Sequence, residues 1–193
     1  MLRFSFILAA MVLALGGCDR AREGEAQPTN APQAAEGDDT TALAGVVSRD
    51  QAGEPLPEFT VTDPAGNTLD LASLEGRPVL LNLWATWCAP CVVEMPMLDA
   101  LAQDMAGELR VVTVSQDIRG AEKVEPFFDE RGFERLEPWL DPDSELAVRM
   151  SEGGQLPLTV LYDAQGREVL RIAGGYEWDG EEARALIGEA LGG

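Results

Sequence analysis

From about residue 55 onward, apolar positions recur with periods that switch between those of strands and helices. Phe59-Thr60-Val61-Thr62 alternates and predicts a strand. Asp63-Pro64-Ala65-Gly66-Asn67 is turn-forming, and Thr68-Leu69 begins a return strand, so a β-hairpin is expected ahead of the main pattern. Leu71 to Leu74 predicts a short helical turn closed by Gly76. Val79-Leu80-Leu81-Asn82-Leu83-Trp84 is a nearly continuous apolar run, the pattern of a strand buried on both faces. A helix is expected from Ala89 to Met105, where Val92, Val93, Met95, Leu98, Leu101, Ala102 and Met105 follow a 3.6-residue period and Pro96 introduces a kink. Arg110 to Ser115 predicts a second apolar strand, and Glu122 to Arg131 a helix ending at Gly132. Pro142 to Met150 predicts a third helix. Leu158 to Tyr162 and Glu168 to Ile172 predict two strands joined by the turn Asp163-Ala164-Gln165-Gly166. Gly180 to Leu191 closes as a helix with Asp179 as its expected N-cap.

A strand–helix–strand unit implies parallel neighbours joined by a right-handed crossover. The terminal hairpin adds antiparallel strands. The expected class is therefore α/β, a mixed central sheet flanked by helices.

The first 54 residues read differently. Arg3 is followed by an apolar stretch, Phe4 to Leu15, that suits a secretory signal and is short for a membrane span. It ends in Leu15-Gly16-Gly17-Cys18, which resembles the lipobox of bacterial lipoproteins. That resemblance implies cleavage before Cys18 and acylation of its thiol, and Asp19 resembles an inner-membrane retention signal. Residues 1–17 are then the signal peptide, 18–54 an acidic flexible tether rich in Ala, Glu, Asp, Gln, Pro and Gly, and 55–193 the folded domain.

Composition narrows the chemistry. The formal net charge is -20 and the isoelectric point about 4.1, a balance that repels nucleic acid and anionic lipid. A membrane location would therefore need a covalent or apolar anchor, which Cys18 could supply. The chain holds no histidine. A Ser–His–Asp triad, a Cys–His dyad and imidazole-ligated zinc or haem are thereby excluded within it, and neither a metal nor a cofactor is expected.

Three cysteines are present, Cys18, Cys88 and Cys91. The last two lie in Trp84-Ala85-Thr86-Trp87-Cys88-Ala89-Pro90-Cys91, where the predicted buried strand passes into a helix. A cysteine at a helix N-terminus faces unsatisfied backbone N–H groups and the positive end of the dipole, which favour thiolate over thiol. Thiolate is the attacking species in disulfide exchange. Cys91, one helical turn on, is placed to resolve a mixed disulfide formed at Cys88. Pro90 fits the first turn, where a missing N–H matters least. Taken alone, a Cys-x-x-Cys pair is also compatible with half a metal site or a small structural disulfide.

Residues from about Leu56 to the end resemble the TlpA/ResA-like branch of the thioredoxin superfamily. The resemblance is carried by Leu81-Asn82-Leu83-Trp84-Ala85-Thr86-Trp87-Cys88-Ala89-Pro90-Cys91 followed by Glu94-Met95-Pro96. It implies a thioredoxin fold and a redox-active disulfide between Cys88 and Cys91. Glu94 matches the carboxylate that assists proton handling near the thiols; read by itself it is a solvated helix charge. Asn82 stands where ordinary thioredoxins carry a buried acid. Leu156-Pro157 matches a cis-proline turn facing the cysteines, so Trp87, Pro90, Leu156 and Pro157 are the expected substrate-facing residues. The family implies a periplasmic reductase of cysteine pairs, in apocytochrome c before haem attachment or in copper-site proteins of respiratory oxidases. It also implies a membrane thiol–disulfide transducer as electron donor.

Two other functions share parts of this pattern. A thiol peroxidase of peroxiredoxin type would resemble a Thr three residues before the reactive cysteine, and that position is Ala85. A copper metallochaperone could use two soft thiolates, although its relatives add a histidine.

Overall fold

In the computed structural model the chain is described over residues 43–151 and 153–192. The signal segment, Cys18 and the expected tether up to residue 42 lie outside the described residues.

The centre of the fold is β4 (Val79–Trp84), buried at all six positions. Leu80 and Trp84 point to one face of the sheet, and Val79, Leu81 and Leu83 to the other, as strand periodicity requires. β4 pairs in parallel with β5 (Arg110–Ser115), and β5 in parallel with β6 (Trp139–Leu140). On its other side β4 pairs antiparallel with β7 (Leu158–Tyr162), which forms a hairpin with β8 (Glu168–Ala173). The hairpin β2 (Thr60–Thr62) and β3 (Thr68–Asp70) joins beyond β6, and β1 (Val46–Ser48) lies along β8. The eight-stranded sheet runs β1-β8-β7-β4-β5-β6-β2-β3. A 3-10 turn, Leu71–Ser73, follows β3 and buries Leu71.

Helices cover both faces. α1 (Ala89–Asp104), α2 (Ala121–Arg131) and α4 (Glu181–Leu191) pack on the face of Leu80 and Trp84 through Met95, Leu98, Val124, Ala183 and Ile187. α3 (Glu145–Met150) packs on the opposite face through Leu146 and Ala147. Each large aliphatic side chain buried this way contributes about 1.5–3 kcal/mol of hydrophobic stabilisation. The mixed sheet, the flanking helices and the preceding hairpin are as the apolar pattern predicts.

Four details differ. The folded unit begins near Gly45 rather than at residue 55: Val46, Val47 and Ser48 pair with Ala173, Ile172 and Arg171 inside the expected tether. Three residues carry too little periodicity to announce a strand, and this one exists because β8 offers it an edge. β6 escapes prediction for the same reason. α3 starts at Glu145, not Pro142, because the Asp141 carboxylate accepts from the N–H groups of Glu145 (3.3 Å) and Leu146 (2.8 Å) and caps the helix from outside. The N-cap of α4 is Gly180, with no side-chain cap bond, instead of Asp179.

Gly45 marks a close approach. A Cβ there would meet the carbonyl oxygens of Gly174 and Gly175 at 2.8 Å each. Only glycine lets β1 enter against the segment that follows β8.

Candidate active site

β4, β5, β7 and β8 bring several chain ends to one edge of the sheet. Trp84 ends β4 and aligns with Ser115, the end of β5; Leu83 aligns with Leu158, the start of β7; and Leu158 aligns with Ala173, the end of β8. Residues 85–91, 116–117, 156–157 and 174–178 therefore converge at this edge.

Cys88 is the N-cap of α1, with extended backbone (φ −92°, ψ 103°), and its carbonyl accepts from the Val92 N–H at 3.0 Å. No side chain caps this terminus, so the positive end of the α1 dipole is directed at the Cys88 sulfur. Pro90 occupies the first turn, where it costs no helical hydrogen bond. Cys88 and Cys91 are joined in a disulfide with their Cα atoms 5.3 Å apart. The two sulfurs are not equivalent. Cys91 is completely buried, whereas Cys88 keeps 7% of its surface open. Of the two, only Cys88 keeps surface that an incoming thiol or disulfide could meet. Trp87 does not close over the pair; at 69% exposure its side chain stands in solvent beside it.

The strand-to-helix link is held from β5. The Asp117 carboxylate accepts from the Thr86 N–H (2.9 Å), the Thr86 hydroxyl (2.7 Å) and the Ser115 hydroxyl (2.8 Å). Asp117 is buried, and three donors compensate its charge. It has no mark in the local sequence, because Thr86, the residue it holds, lies 31 positions away, beyond the end of β4.

Glu94 is the group least like its surface reading. It lies one turn beyond Cys91, on the same buried side of α1 as Cys91 and Met95, and is fully inaccessible. Its Oε1 accepts from Asn82 Nδ2 at 2.8 Å, and its Oε2 accepts from the Tyr176 N–H at 3.1 Å and the Trp178 indole N–H at 3.4 Å. Burial raises its pKa from 4.5 to about 7, and those three donors work against the rise by favouring the carboxylate. The group thus exchanges a proton near neutrality. Asn82 also donates to the Thr159 hydroxyl at 2.9 Å, which braces it from β7 and leaves its Oδ1 without a partner.

The Leu156–Pro157 peptide is cis, as the motif implies. Leu156 is half-buried, Pro157 is buried, and the Pro157 carbonyl accepts from the Gly174 N–H at 2.9 Å. The structure thus gathers Cys88, Cys91, Glu94, Trp87, Pro90, Leu156 and Pro157 at one edge of the sheet. Asp117, Thr159, Tyr176 and Trp178 join them unannounced. For the last two the only signal was an aromatic pair between the final strand and the final helix.

This site sits in a recognisable chain. Residues 52–179 match the AhpC/TSA family. The thiol-disulfide oxidoreductase ResA of Bacillus cereus is 32% identical over 124 residues, covering 64% of this chain and 70% of the relative. ResA of Geobacillus kaustophilus is 33% identical over 126 residues, covering 64% of this chain and 69% of its own. Among solved structures, a thiol:disulfide interchange protein DsbE of Chlorobium tepidum superposes with a TM-score of 0.62 at 24% identity, over 72% of this chain and 97% of the other, a likeness of fold. The exposed lipoprotein thioredoxin Etrx1 of Streptococcus pneumoniae gives a TM-score of 0.55 at 25% identity, over 67% of this chain and 98% of the other. With the disulfide at a helix N-terminus and a buried carboxyl one turn beyond, the chain belongs to the AhpC/TSA family and, within it, to the TlpA/ResA-like thiol-disulfide oxidoreductases of thioredoxin fold.

Proposed function

We propose that this oxidoreductase works as a reductase of cysteine pairs in client proteins on the periplasmic face of a bacterial membrane, through Cys88 and Cys91. The observation that carries this reading is the asymmetry of the pair: an accessible Cys88 at the α1 N-terminus, an enclosed Cys91, and a carboxyl titrating at about 7 one turn further on. In the reduced protein the Cys88 thiolate attacks a client disulfide, forming a mixed disulfide and releasing one client thiolate, which takes a proton from solvent. Cys91 gives its proton to the Glu94 carboxylate and attacks the Cys88 sulfur. That step releases the second client thiolate and leaves the Cys88–Cys91 disulfide seen in the structure. Two electrons pass to the client, and a membrane dithiol transducer must return them. Leu156, Pro157, Trp87 and Pro90 form the surface on which an extended client segment lies. Clients of the proposed kind are apocytochrome c or copper-site proteins of respiratory oxidases. Ala85, in place of threonine, speaks against peroxidase chemistry, and the lack of histidine against a copper carrier.

The reduction potential of the pair tests the direction. A value at or below about −200 mV, in the range of glutaredoxins and thioredoxin, is the expected result, and a value near the roughly −120 mV of DsbA would make the protein an oxidant.

Membrane attachment is proposed through acylation of Cys18, in keeping with the lipoprotein named among the structural relatives. In the full chain, Cys18→Ser is expected to release the protein from membranes into the soluble periplasmic fraction. Undiminished sedimentation with membranes would refute the lipid anchor.

A further inference from the structure

Glu94 is held from two sides that differ in kind. On the strand side, Asn82 belongs to the innermost strand of the sheet and is braced by Thr159 of β7. On the other side both donors come from the short irregular segment between β8 and α4. The Tyr176 backbone N–H and the Trp178 indole N–H converge on the same oxygen, Oε2. A glutamate bonded at one oxygen only can still pivot about its Cγ–Cδ bond. A second oxygen bonded from a different direction fixes the carboxylate plane. The indole is itself fixed: Trp178 is buried, and its ring packs on that of Tyr176 with centroids 5.2 Å apart and planes at 59°. The same segment reaches the substrate-facing wall, because the Gly174 N–H donates to the Pro157 carbonyl at 2.9 Å.

We propose that Gly174–Trp178 is a positioning arm that holds the Glu94 carboxylate and the Pro157 turn in one arrangement, with the Tyr176 N–H and the Trp178 indole together fixing the carboxylate and Trp178 the one of the two that a substitution can remove. This rests on the reading of Glu94 as the proton partner of Cys91. Trp178 touches neither the sulfurs nor the client in this scheme; it acts through Glu94. Proton transfer from Cys91 needs a carboxylate oxygen presented toward that thiol, and the arm sets which way both oxygens face. The arm also couples the two sides of the reaction, since a client that displaces Pro157 pulls on the backbone two residues before the Tyr176 N–H. The titratable groups facing Glu94 are few. Cys91 precedes it on α1, and the Tyr176 phenol, pushed up to about 12 by burial and by Glu182, stays protonated throughout. Among the described residues no cationic side chain contributes to the Glu94 shift.

The test is a titration of Glu94 itself. Its carboxyl-stretch infrared band, identified by its loss in Glu94→Gln, should titrate near neutrality. In Trp178→Phe the ring remains but the donor is gone, and a hydrogen bond to the charged form is lost. The Glu94 midpoint should then move upward, by up to about one pH unit. A second measurement needs no substitution of Trp178. With nitrogen-15 labelled indole, the Trp178 N–H resonance should follow the Glu94 titration and should lose that inflection in Glu94→Gln. An unshifted midpoint in Trp178→Phe, or a Trp178 resonance indifferent to Glu94, overturns the inference. Failure of the underlying reading looks different: the infrared midpoint moves in Trp178→Phe, while the pH profile of client reduction stays where it was in both Trp178→Phe and Glu94→Gln.

Discussion

A Cys91→Ser variant is expected to stop halfway through the exchange and remain covalently attached to its client. The first step needs only Cys88, which is the less enclosed of the pair and stands at the α1 N-terminus. The second needs a thiol already in place, and Cys91 is held with its Cα 5.3 Å from that of Cys88. An intramolecular partner in correct geometry is equivalent to a very high local concentration, with measured values reaching about 10⁵–10⁸ M. Thiols free in solution cannot match it, so catalytic turnover should fall by more than about 100-fold while the adduct accumulates. Non-reducing mass spectrometry of the variant, mixed with a disulfide-containing client peptide, reads this directly. The adduct mass should appear with Cys91→Ser and be absent with Cys88→Ser. Adducts of equal yield on either cysteine, or turnover retained without Cys91, would refute the assigned order of attack.

The second large effect lies in stability. The pKa of Glu94 is raised in the folded protein, from 4.5 to about 7, because the charged form loses its water. A raised acid favours the fold when it carries its proton. Its contribution is fully present below about pH 4.5, declines through the interval up to about 7, and is gone above it. The unfolded chain releases its proton first, and the folded state must then accommodate a buried anion. At 1.36 kcal/mol per pH unit, the interval amounts to about 3 kcal/mol. Urea unfolding of the oxidised protein between pH 4 and 8 checks it against Glu94→Gln. The difference in stability between the two proteins should change by about that amount across the interval, in the sense that the glutamine variant gains relative to the unmutated protein as the pH rises. The glutamine also loses the carboxylate's fit to three donors, so the pH dependence of the difference is the quantity to read, and its absolute value is not. A difference independent of pH would refute the buried titrating carboxyl. The cost of keeping that group inside is what a structural residue would not incur, and it fits a group whose proton is used.

How far the sequence reaches depends on how far apart the partners are. β4, β5 and β7 appear at the limits their apolar runs predict, because each is five or six residues long and buried on both sides. β1 and β6, three and two residues long, exist only by pairing with strands distant in sequence. Cys88, Pro90 and Cys91 were legible from residue type and spacing, and the turn at Pro157 only through its resemblance to the family's motif. Glu94 was half legible. Its place in the motif pointed to proton handling, but read as an acidic residue on a helix it belonged in solvent. What buries it is the arm some 82 residues away, and no local pattern links Glu94 to Tyr176 or Trp178. Asp117 is hidden in the same way, 31 residues from the Thr86 it holds.

The route by which the chain enters the domain has a consequence for where the sulfurs can go. β1 runs antiparallel to β8, and Val46 faces Ala173 at the end of the sheet where the disulfide lies. Gly45, packed against Gly174 and Gly175, is therefore a fairlead on the catalytic side. If the chain is moored at Cys18, the line from there to Gly45 measures about 90 Å when drawn taut, at roughly 3.3–3.6 Å per residue. Such a mooring, as proposed, would join the domain at its redox end, and clients within that reach of the same membrane would be the ones it serves.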